Sequence, residues 1–441
     1  MIKSEIIDRS FYTFPVNDTS AFRLQMLQWS TGFNPCCYLD SNQYADRYGR
    51  FAAVLAAGAL RSVCAEGAGA WESLHGFRQQ ARDWIFGHFS YDLKGEHHRS
   101  TCPYDDHTGF ADLFFFQPEV LLLLGAHEVE IGLVSATPED ARHIFQSICG
   151  TKPSVAPVQK PRTLSWQTPM NASQYVAAVR ALQDHLQRGN AYEVNFCREF
   201  FCRAPALIPQ LLFRHLNDLS PAPFAACYHV GDSALVCSSP ERFLQKSGTR
   251  VISQPIKGTA RRSQDAAQDA LLKRQLYASA KEQSENIMAV DLVRNDLSRT
   301  AIPGTVKIEE LFGIYSFAQV HQMITTVSAQ VPASTAAEAI LYHAFPMASM
   351  TGAPKHRVIQ LIDTYERSRR SIFSGALGYF SPEGDFDFNV VIRSLVYHAA
   401  EDYLSFQTGS GITIYSDPDR ELEECLLKAR AMQQAVAQGW S

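Results

Sequence analysis

Hydrophobic positions along this chain follow two periods, that of strands and that of helices, and a polar break separates two stretches of them. The first stretch mixes continuous apolar runs typical of buried strands, such as residues 120–124, with a helix-like run at residues 49–57. The break is rich in Lys, Pro, Ser, Thr and Val and has little periodicity, which indicates a linker or a surface crossing. We therefore predict an N-terminal lobe over residues 1–150, a linker over 151–168 and a second domain over 169–441.

The second domain alternates predicted helices with predicted strands. Residues 171–189 place apolar side chains at helical spacing, and no internal repeat is visible. Further helices are predicted at residues 265–299, 354–367 and 419–437. Strands are predicted at residues 192–196, 234–237 and 375–380. These patterns do not by themselves define how the strands are arranged.

The composition narrows the classes of function. With 441 residues, 46% of them hydrophobic, the chain can bury a large core, and a net charge of -5 without a sustained basic run argues against a nucleic-acid partner. The first residues lack a signal peptide, and no run approaches the ~18 apolar residues of a membrane span, so we expect a cytoplasmic protein without membrane contact. Ten cysteines without C-x-x-C spacing favour reduced thiols over a zinc site or a disulfide framework. A small molecule is the expected partner.

One lysine has the sequence context of a chemical centre. Lys257 lies in the segment SQPIKGT at residues 253–259, which the sequence predicts to be an apolar, glycine-adjacent turn. A lysine attacks carbon only as the neutral amine, so burial or a neighbouring cation has to lower its pKa from about 10.4 before it reacts near neutral pH. A solvated loop lysine is the ordinary alternative for a single Lys-Gly pair. The other motifs of the chain favour a catalytic lysine.

Two predicted helices carry carboxylates on one face. Glu282 and Glu285 stand three residues apart on the first helix. Glu421 and Glu424 share a face with Lys428 on the second. Either group alone would be typical of a solvated surface. Two such faces closing on a substrate carboxylate suit Mg2+, which prefers one or two protein carboxylates together with waters and an anionic ligand.

Other residues are suited to holding an anion. The GSG segment at residues 409–411 follows a strand-like run, and glycine lets backbone N–H groups approach a carboxylate closely. Arg393 lies among apolar strand-like residues, where a guanidinium requires either a ligand carboxylate or an internal acid, and the sequence leaves both open. The segment at residues 351–355 is typical of a helix entry and is not a G-x-x-x-x-G-K-[ST] phosphate loop, so nucleotide hydrolysis has no motif here.

Five motifs occur in an order and spacing that resemble those of the chorismate-utilising enzymes. They are SPERF at residues 239–243, PIKGT at 255–259, EN with DLVRNDL within 285–297, TGAPK at 351–355 and GSG at 409–411. The resemblance covers about residues 170–436. Weaker landmarks at residues 39–41 and 87–93 are similar to the N-terminal lobe of the large subunits of anthranilate synthase and aminodeoxychorismate synthase. Each motif alone is modest, but their combined order is specific.

The resemblance implies an α+β fold in which two large antiparallel β-sheets pack together, flanked by helices, with both lobes contributing strands. It implies that Glu285 and Glu424 are the Mg2+ ligands that fix the ring carboxylate of chorismate. Glu282 and Glu421 would lie close by as direct or water-mediated ligands.

The resemblance also implies a substrate site. Glu241 matches the general acid of the family, which protonates the departing ring hydroxyl because hydroxide is a poor leaving group. Gly258 and Thr259 would line the ring of chorismate, and the enolpyruvyl carboxylate would lie against Arg393. The other predicted substrate-binding residues are Thr351, Phe373, Gly409, Ser410, Gly411 and Lys428.

Lys257 indicates a branch of the family. Anthranilate, isochorismate and salicylate synthases have alanine at this position of the motif, whereas aminodeoxychorismate synthases have lysine. In that branch the lysine amine adds at carbon 2 of chorismate, expels the 4-hydroxyl and is displaced by ammonia adding at carbon 4. Water-activating members have a lysine base where this chain has Glu193, which cannot supply an amine. The resemblance thus implies an aminodeoxychorismate synthase large subunit that serves 4-aminobenzoate and folate formation.

A partner and several alternatives follow. The sequence carries no glutaminase signature, so ammonia is expected from a separate glutamine amidotransferase. Anthranilate synthase component I is an alternative that Lys257 disfavours, and a non-catalytic chorismate-binding subunit is one that the intact acids disfavour. A pyridoxal-phosphate enzyme would also use a buried lysine, and it would absorb visible light.

Two positions depart from the family pattern. Gln322 stands where a histidine is usual, and the adjacent His321 is assigned no catalytic role. Phe373 stands where relatives often have tyrosine or tryptophan. The tryptophan-binding pocket of the family would map near Ser41 and residues 223–225.

Overall fold

The computed structural model of the chain describes residues 8–44, 46–94, 102–152, 164–204 and 206–438. Its strands are β1 (Arg9–Pro15), β2 (Cys36–Asp40), β3 (Ala53–Ala57), β4 (Arg61–Ala65), β5 (Ile85–Phe89), β6 (Leu113–Gln117), β7 (Val120–Leu124), β8 (Glu128–Val134), β9 (Glu193–Arg203), β10 (Phe224–Val230), β11 (Ser233–Ser239), β12 (Arg242–Ser247), β13 (Arg250–Gln254), β14 (Ile256–Arg261), β15 (Lys307–Ser316), β16 (Val320–Gln330), β17 (Gly352–Ala353), β18 (Ala376–Phe380), β19 (Phe386–Asn389), β20 (Ser394–His398) and β21 (Tyr403–Ile412).

The helices are α1 (Thr19–Trp29), α2 (Ala70–Ala81), α3 (Pro138–Gly150), α4 (Ala172–Gln187), α5 (Pro209–Leu219), α6 (Ala266–Ala278), α7 (Ala280–Ser298), α8 (Ala337–Ala344), α9 (Lys355–Tyr365) and α10 (Pro418–Gln438). Within the described residues, none of them combines the length and the apolar character that a membrane span requires.

Two large antiparallel sheets organise the molecule. The first has 11 strands in the order β1-β8-β7-β3-β2-β10-β11-β20-β21-β9-β17. The second has 10 strands and runs β14-β16-β13-β12-β19-β18-β5-β6-β4, with β15 paired to β16 as well. Apolar side chains from the facing sides of both sheets, such as Val54 and Phe86, belong to one buried cluster, and helices cover the outer face of the first sheet. The predicted α+β fold of two packed sheets is confirmed.

Strands from both halves of the sequence share each sheet. In the first sheet β2 pairs with β10, with Cys37 opposite Tyr228. In the second, β5 pairs with β18, with Gly87 opposite Gly378. The lobe boundary near residue 150 stays a prediction, and residues 153–163 of the predicted linker lie outside the described residues.

One predicted helix is wrong. Residues 53–57, in the run predicted as helical, form β3, which pairs with β2 and β7 in the interior of the first sheet. Both faces of β3 are buried, because Leu55 packs on the helix side and Val54 on the side of the second sheet. A strand buried on both faces has no alternation of apolar and polar residues, so its alanine-rich sequence is also compatible with a helix.

The other predicted elements are confirmed, with local corrections around the motifs. The predicted helix at residues 265–299 divides into α6 and α7, and the Ser279 side chain caps α7 by accepting a hydrogen bond from the backbone N–H of Glu282. Lys257 lies in β14 and not in a turn, and Gly409–Gly411 lie inside β21 and not after it. Arg393 lies in the connection between β19 and β20, at a φ of 50°, and not within a strand.

Candidate active site

A β-bulge positions Lys257. Strand β14 pairs with β16, and the register shifts between Ile256 and Thr259. Gly258 lies at this shift with a φ of 91°, which favours glycine, and a Cβ there would meet the Glu282 carboxylate at 3.0 Å. The bulge therefore depends on the glycine that follows the lysine in the PIKGT motif.

Lys257 bridges the two sheets through an ion pair with Glu193, the first residue of β9. Nζ of Lys257 donates a hydrogen bond to Oε1 of Glu193, and the two side chains are only 12% and 5% exposed. A Cβ at Gly411 would stand 2.4 Å from that same Oε1 and 3.3 Å from Nζ, so the space for the pair exists because position 411 is glycine. Packing around the ion pair thus explains why position 411, in the GSG motif, is glycine.

The charge state of Lys257 differs from the expectation from sequence. Burial alone would lower the pKa of Lys257, but the carboxylates of Glu193, Glu285 and Glu241 outweigh it and raise the pKa above its ordinary value. The resting lysine is an ammonium ion. Before it can act as a nucleophile, it has to lose a proton to another group.

Glu241 has the properties of a buried acid. It follows β11, it is 4% exposed, and its carbonyl accepts a hydrogen bond from the backbone N–H of Val390. Burial raises the pKa of Glu241 to about 7, although the nearby charges of Lys257 and Arg393 act in the opposite direction. A substantial fraction of this carboxyl group therefore carries a proton near neutral pH, which suits a proton donor.

Arg393 is a half-buried cation that lacks a protein partner among the described residues. Its backbone carbonyl accepts a hydrogen bond from the N–H of Ser238, but its guanidinium makes neither a hydrogen bond nor an ion pair with them. Burial lowers the pKa of Arg393, and the charge of Glu241 only partly compensates. Of the two options that the sequence left open, an internal acid is therefore not paired with Arg393, and the guanidinium is available to an anionic ligand.

The acidic faces of α7 and α10 approach each other. Burial raises the pKa of Glu285 to about 7. Burial also raises the pKa of Glu282, and the charge of Glu424 on α10 acts in the same direction. Carboxylates that are about 140 residues apart in the sequence therefore influence each other's charge.

Hydrogen bonds connect the GSG motif to α10. Ser410 donates a hydrogen bond through Oγ to Glu421. Nζ of Lys428 lies 2.8 Å from Glu424 and donates to the carbonyl of Gly409 at 2.9 Å. The residues predicted to bind substrate and metal on this side thus form one connected network.

The donor chemistry of the four glutamates fits Mg2+. Within the described ranges, no three metal-binding side chains are already close enough to enclose an ion. Mg2+ does not need such a cage, because it keeps several waters and takes only one or two carboxylates together with oxygens of a bound anion. Raised pKa values at Glu282 and Glu285 are the mark of half-buried carboxylates that lack sufficient countercharge.

Other predicted site residues lie deeper or further out. Thr351 is fully buried, and its hydroxyl donates to the carbonyl of Met347 at 3.0 Å. Phe373 is 4% exposed and packs in the core, whereas Thr259 is exposed on β14. Their roles in binding a substrate stay predictions.

The departures from the family pattern have clear positions. His321 is buried on β16, where its ring nitrogens contact Asp269 at 3.1 Å and Ser316 at 2.8 Å. Both ring nitrogens are therefore engaged in structural contacts. A cavity of about 440 Å3 lies next to Ser41, and Phe224 and Arg242 also line it.

Sequence reasoning missed one residue of the site. Glu193 was considered only as a position without an amine, and its contact with Lys257 was not anticipated. The single available signal was a carboxylate within a strand-like apolar segment, since an ionised side chain buried in a sheet requires a partner.

Comparison with solved structures defines the class of fold. Anthranilate synthase component I from Streptococcus pneumoniae TIGR4 superposes with a TM-score of 0.77 over 88% of this chain and 93% of that one, at 20% sequence identity. At this identity the likeness concerns the fold alone.

Comparison with known sequences defines the family. The model of the chorismate binding enzymes matches residues 27–434, and the chain belongs to this family of enzymes. Aminodeoxychorismate synthase component 1 of Klebsiella aerogenes is 35% identical over 77% of this chain and 74% of its own length. Anthranilate synthase component 1 of Thermus thermophilus is 31% identical over 80% of this chain and 77% of its own. The resemblance drawn from the five motifs is confirmed.

Proposed function

We propose that this chain carries out the reaction of the aminodeoxychorismate synthase large subunits, in which chorismate and ammonia give 4-amino-4-deoxychorismate. Support comes from relatives of that name and above all from one observation: Lys257 is buried beside Glu193, in the electrostatic range of the acid Glu241. A lysine in this position supplies a nucleophile that a chorismate enzyme with alanine there would lack.

In the proposed mechanism, Lys257 and Glu241 act on opposite ends of one substitution. The neutral amine of Lys257 bonds to carbon 2 of chorismate, the two ring double bonds shift, and the bond between carbon 4 and its hydroxyl oxygen breaks. Glu241 gives its proton to that oxygen, which leaves as water. Ammonia then bonds to carbon 4, the double bonds shift back, and the bond between carbon 2 and the lysine nitrogen breaks.

We assign the metal and the anion contacts as follows. Glu285 and Glu424 would bind Mg2+, with Glu282 and Glu421 as direct or water-mediated ligands. When bound, the ion would neutralise the ring carboxylate and fix its position. The unpaired guanidinium of Arg393 is the best candidate to hold the second carboxylate of the substrate.

The further substrate contacts and the source of ammonia are also part of the proposal. Lys428 and the backbone of Gly409–Gly411 would lie on the carboxylate side, and Gly258 would lie near the ring. Ammonia would come from a separate glutamine amidotransferase, because the sequence has no glutaminase signature. We place this activity in the cytoplasm, in 4-aminobenzoate and folate formation.

One incubation in three arms tests the proposed function. The purified chain receives chorismate and Mg2+ with ammonium, with glutamine or with no nitrogen source, and products are identified by mass and ultraviolet spectrum. We expect 4-amino-4-deoxychorismate with ammonium and no turnover with glutamine until an amidotransferase is added. Without nitrogen, rapid quenching and peptide mass spectrometry should find chorismate less one water attached at Lys257.

The Lys257→Ala variant is the matched control, and it should lose both the adduct and the 4-amino product. Formation of anthranilate and pyruvate in the ammonium arm would assign the chain to anthranilate synthase instead. No turnover of chorismate in any arm would support a non-catalytic subunit. Glutamine-dependent amination by the rigorously purified chain would contradict the separate partner.

A further inference from the structure

Lys257 and Glu193 make few hydrogen bonds for an ion pair in the protein interior. Among the described residues, Nζ of Lys257 donates only to Glu193, and the carboxylate of Glu193 accepts only from Lys257. A buried ion pair that serves stability alone needs its remaining donors and lone pairs satisfied, because the cost of removing two charges from water is otherwise not recovered. This pair therefore calls for a different explanation.

The backbone holds Glu193 rigidly against the lysine. On one side Glu193 pairs with Ala353 of β17, and a Cβ at Gly352 would stand 2.0 Å from the Glu193 carbonyl oxygen. On the other side a Cβ at Gly411 would stand 2.4 Å from its carboxylate oxygen. Two glycines thus allow both neighbouring strands to close around Glu193, and the contact with Nζ is fixed before any substrate binds.

We propose that Glu193 is a catalytic residue that accepts the proton of the Lys257 ammonium ion and returns it when the lysine is released. This inference rests on the proposed function and adds to it the group that frees the nucleophile.

The step balances in protons and charge. Lys257 starts as an ammonium ion and Glu193 as a carboxylate; transfer of one proton gives a neutral amine and a carboxylic acid. The amine then bonds to carbon 2 and becomes a secondary ammonium, while the hydroxyl of carbon 4 leaves as water with the proton of Glu241. When ammonia has displaced the lysine nitrogen, the new ammonium group on carbon 4 gives a proton to the Glu241 carboxylate, and the acid form of Glu193 returns its proton to the lysine amine, which restores the resting site.

The site lowers the cost of this transfer, because the transfer removes two charges from the protein interior without changing the net charge. Burial disfavours the ammonium form of Lys257, so the proton shift costs less here than it would in water. The neighbouring carboxylates of Glu285 and Glu241 and the guanidinium of Arg393 set the balance around the pair. An acceptor in direct contact also avoids a proton route to bulk solvent.

The Glu193→Gln variant gives opposite results for a proton acceptor and for a merely electrostatic partner. If Glu193 only stabilised the ammonium form, its removal would leave more neutral amine and adduct formation would become faster. If it accepts the proton, adduct formation should slow by roughly 100-fold or more, a typical contribution of a general base. The measurement is the rate at which Lys257 acquires chorismate less one water, with Mg2+ and without ammonium, by quenched mass spectrometry of the full chain.

Two further variants keep the test decisive. Glu199→Gln is the matched control, because Glu199 lies six residues along the same strand and on the same face, is also buried, and contacts Tyr403 instead of a lysine. It should form the adduct at the unaltered rate. In Glu193→Ala, added formate should restore a measurable part of the rate, because it can occupy the vacated space as a small carboxylate.

The outcomes separate this inference from the proposed function. An unaltered chain that makes the 4-amino product but never the adduct would overturn the covalent route, and the role of Glu193 with it. An unaltered chain that forms the adduct, beside a folded Glu193→Gln variant that forms it as fast or faster, would overturn the role of Glu193 alone. Circular dichroism and calorimetric binding of chorismate establish that each variant is folded and binds substrate.

Discussion

Arg370 and Arg393 show how differently this molecule treats its internal charges. Arg370 is 2% exposed and makes a bidentate contact with Glu366 at 3.0 and 2.6 Å, while it also donates to the carbonyls of Met350 and Asn195. Arg393 has no such partner among the described residues. A guanidinium whose hydrogen bonds are made within the protein stabilises the fold, whereas one without protein partners is free to bind a ligand.

The same contrast extends to the other charges. The Glu366 carboxylate has two hydrogen-bonding partners, since besides the Arg370 guanidinium it also accepts from the backbone N–H of Cys197 at 2.8 Å. Among the residues that the structure describes, Lys257 and Glu193 bond only to each other, and Glu285 has only a distant contact to Lys281 at 3.8 Å. The under-bonded charges gather where the family motifs converge, whereas Arg370 and Glu366 bond to each other and to backbone groups of β9. This division distinguishes binding residues from structural ones better than burial does.

The largest expected effect on activity concerns the two proposed Mg2+ ligands. Glu285→Gln should reduce turnover of chorismate with ammonium by about 1,000-fold, because the proposed Mg2+ would lose several kcal/mol of stabilising charge. Glu424→Gln should cause a comparable loss. Thermal stability should change little, since neither carboxylate holds the fold. The measurement is steady-state turnover over a range of Mg2+ concentrations.

An exposed neighbour provides the control for these variants. Glu423→Gln changes a solvent-facing carboxylate on α10 and should leave turnover unaltered. Near-normal turnover of Glu285→Gln or Glu424→Gln at low Mg2+ would show that the carboxylate concerned is not a metal ligand.

The sequence predicted much of this site because its motifs carry local constraints. The PIKGT and GSG segments contain the glycines at the bulge beside Lys257 and at the contact with Glu193, and these backbone requirements are visible one residue at a time. The helices α7 and α10 were predictable from periodicity, and so were the carboxylates on each of them.

Three features could not be predicted because they depend on the assembled sheets. The Lys257–Glu193 pair joins residues that are 64 positions apart, on strands of different sheets, and no local pattern encodes that meeting. Strand β3 lacks alternation because both of its faces are buried, and only its neighbours make it a strand. That Arg393 has no partner within the described ranges is likewise a property of the assembled structure.

Replacing each arginine in turn tests whether Arg370 stabilises the fold and Arg393 binds the substrate. Arg370→Gln leaves Glu366 buried and unpaired, so the free energy of unfolding should fall by about 3–5 kcal/mol. Arg393→Gln removes a half-buried cation that has no partner in the described part of the chain, so stability should be unchanged or slightly higher. Its KM for chorismate should instead rise by about 10- to 100-fold, the value of a charge-assisted hydrogen bond to the substrate.

Denaturant unfolding followed by tryptophan fluorescence and steady-state kinetics separate the two effects. Loss of stability in Arg393→Gln comparable to that in Arg370→Gln would assign both arginines to the fold. An unaltered KM in Arg393→Gln would remove this residue from the substrate site.

The smallest expected effect is a pH dependence that tests whether Glu241 is the proton donor. Because burial raises the pKa of Glu241 to about 7, the group carries its proton below that pH and loses it above. A proton donor is needed for the hydroxyl to leave, so the second-order rate constant of Lys257 adduct formation should be flat below about pH 7 and fall roughly tenfold per pH unit above it. Without ammonium in the reaction, the ionisation of ammonia does not enter, and sub-saturating chorismate reports the free protein. Glu241→Gln should react slowly at every pH and lack the alkaline limb. A limb that persists in this variant would belong to another group, and Glu241 would then not be the acid.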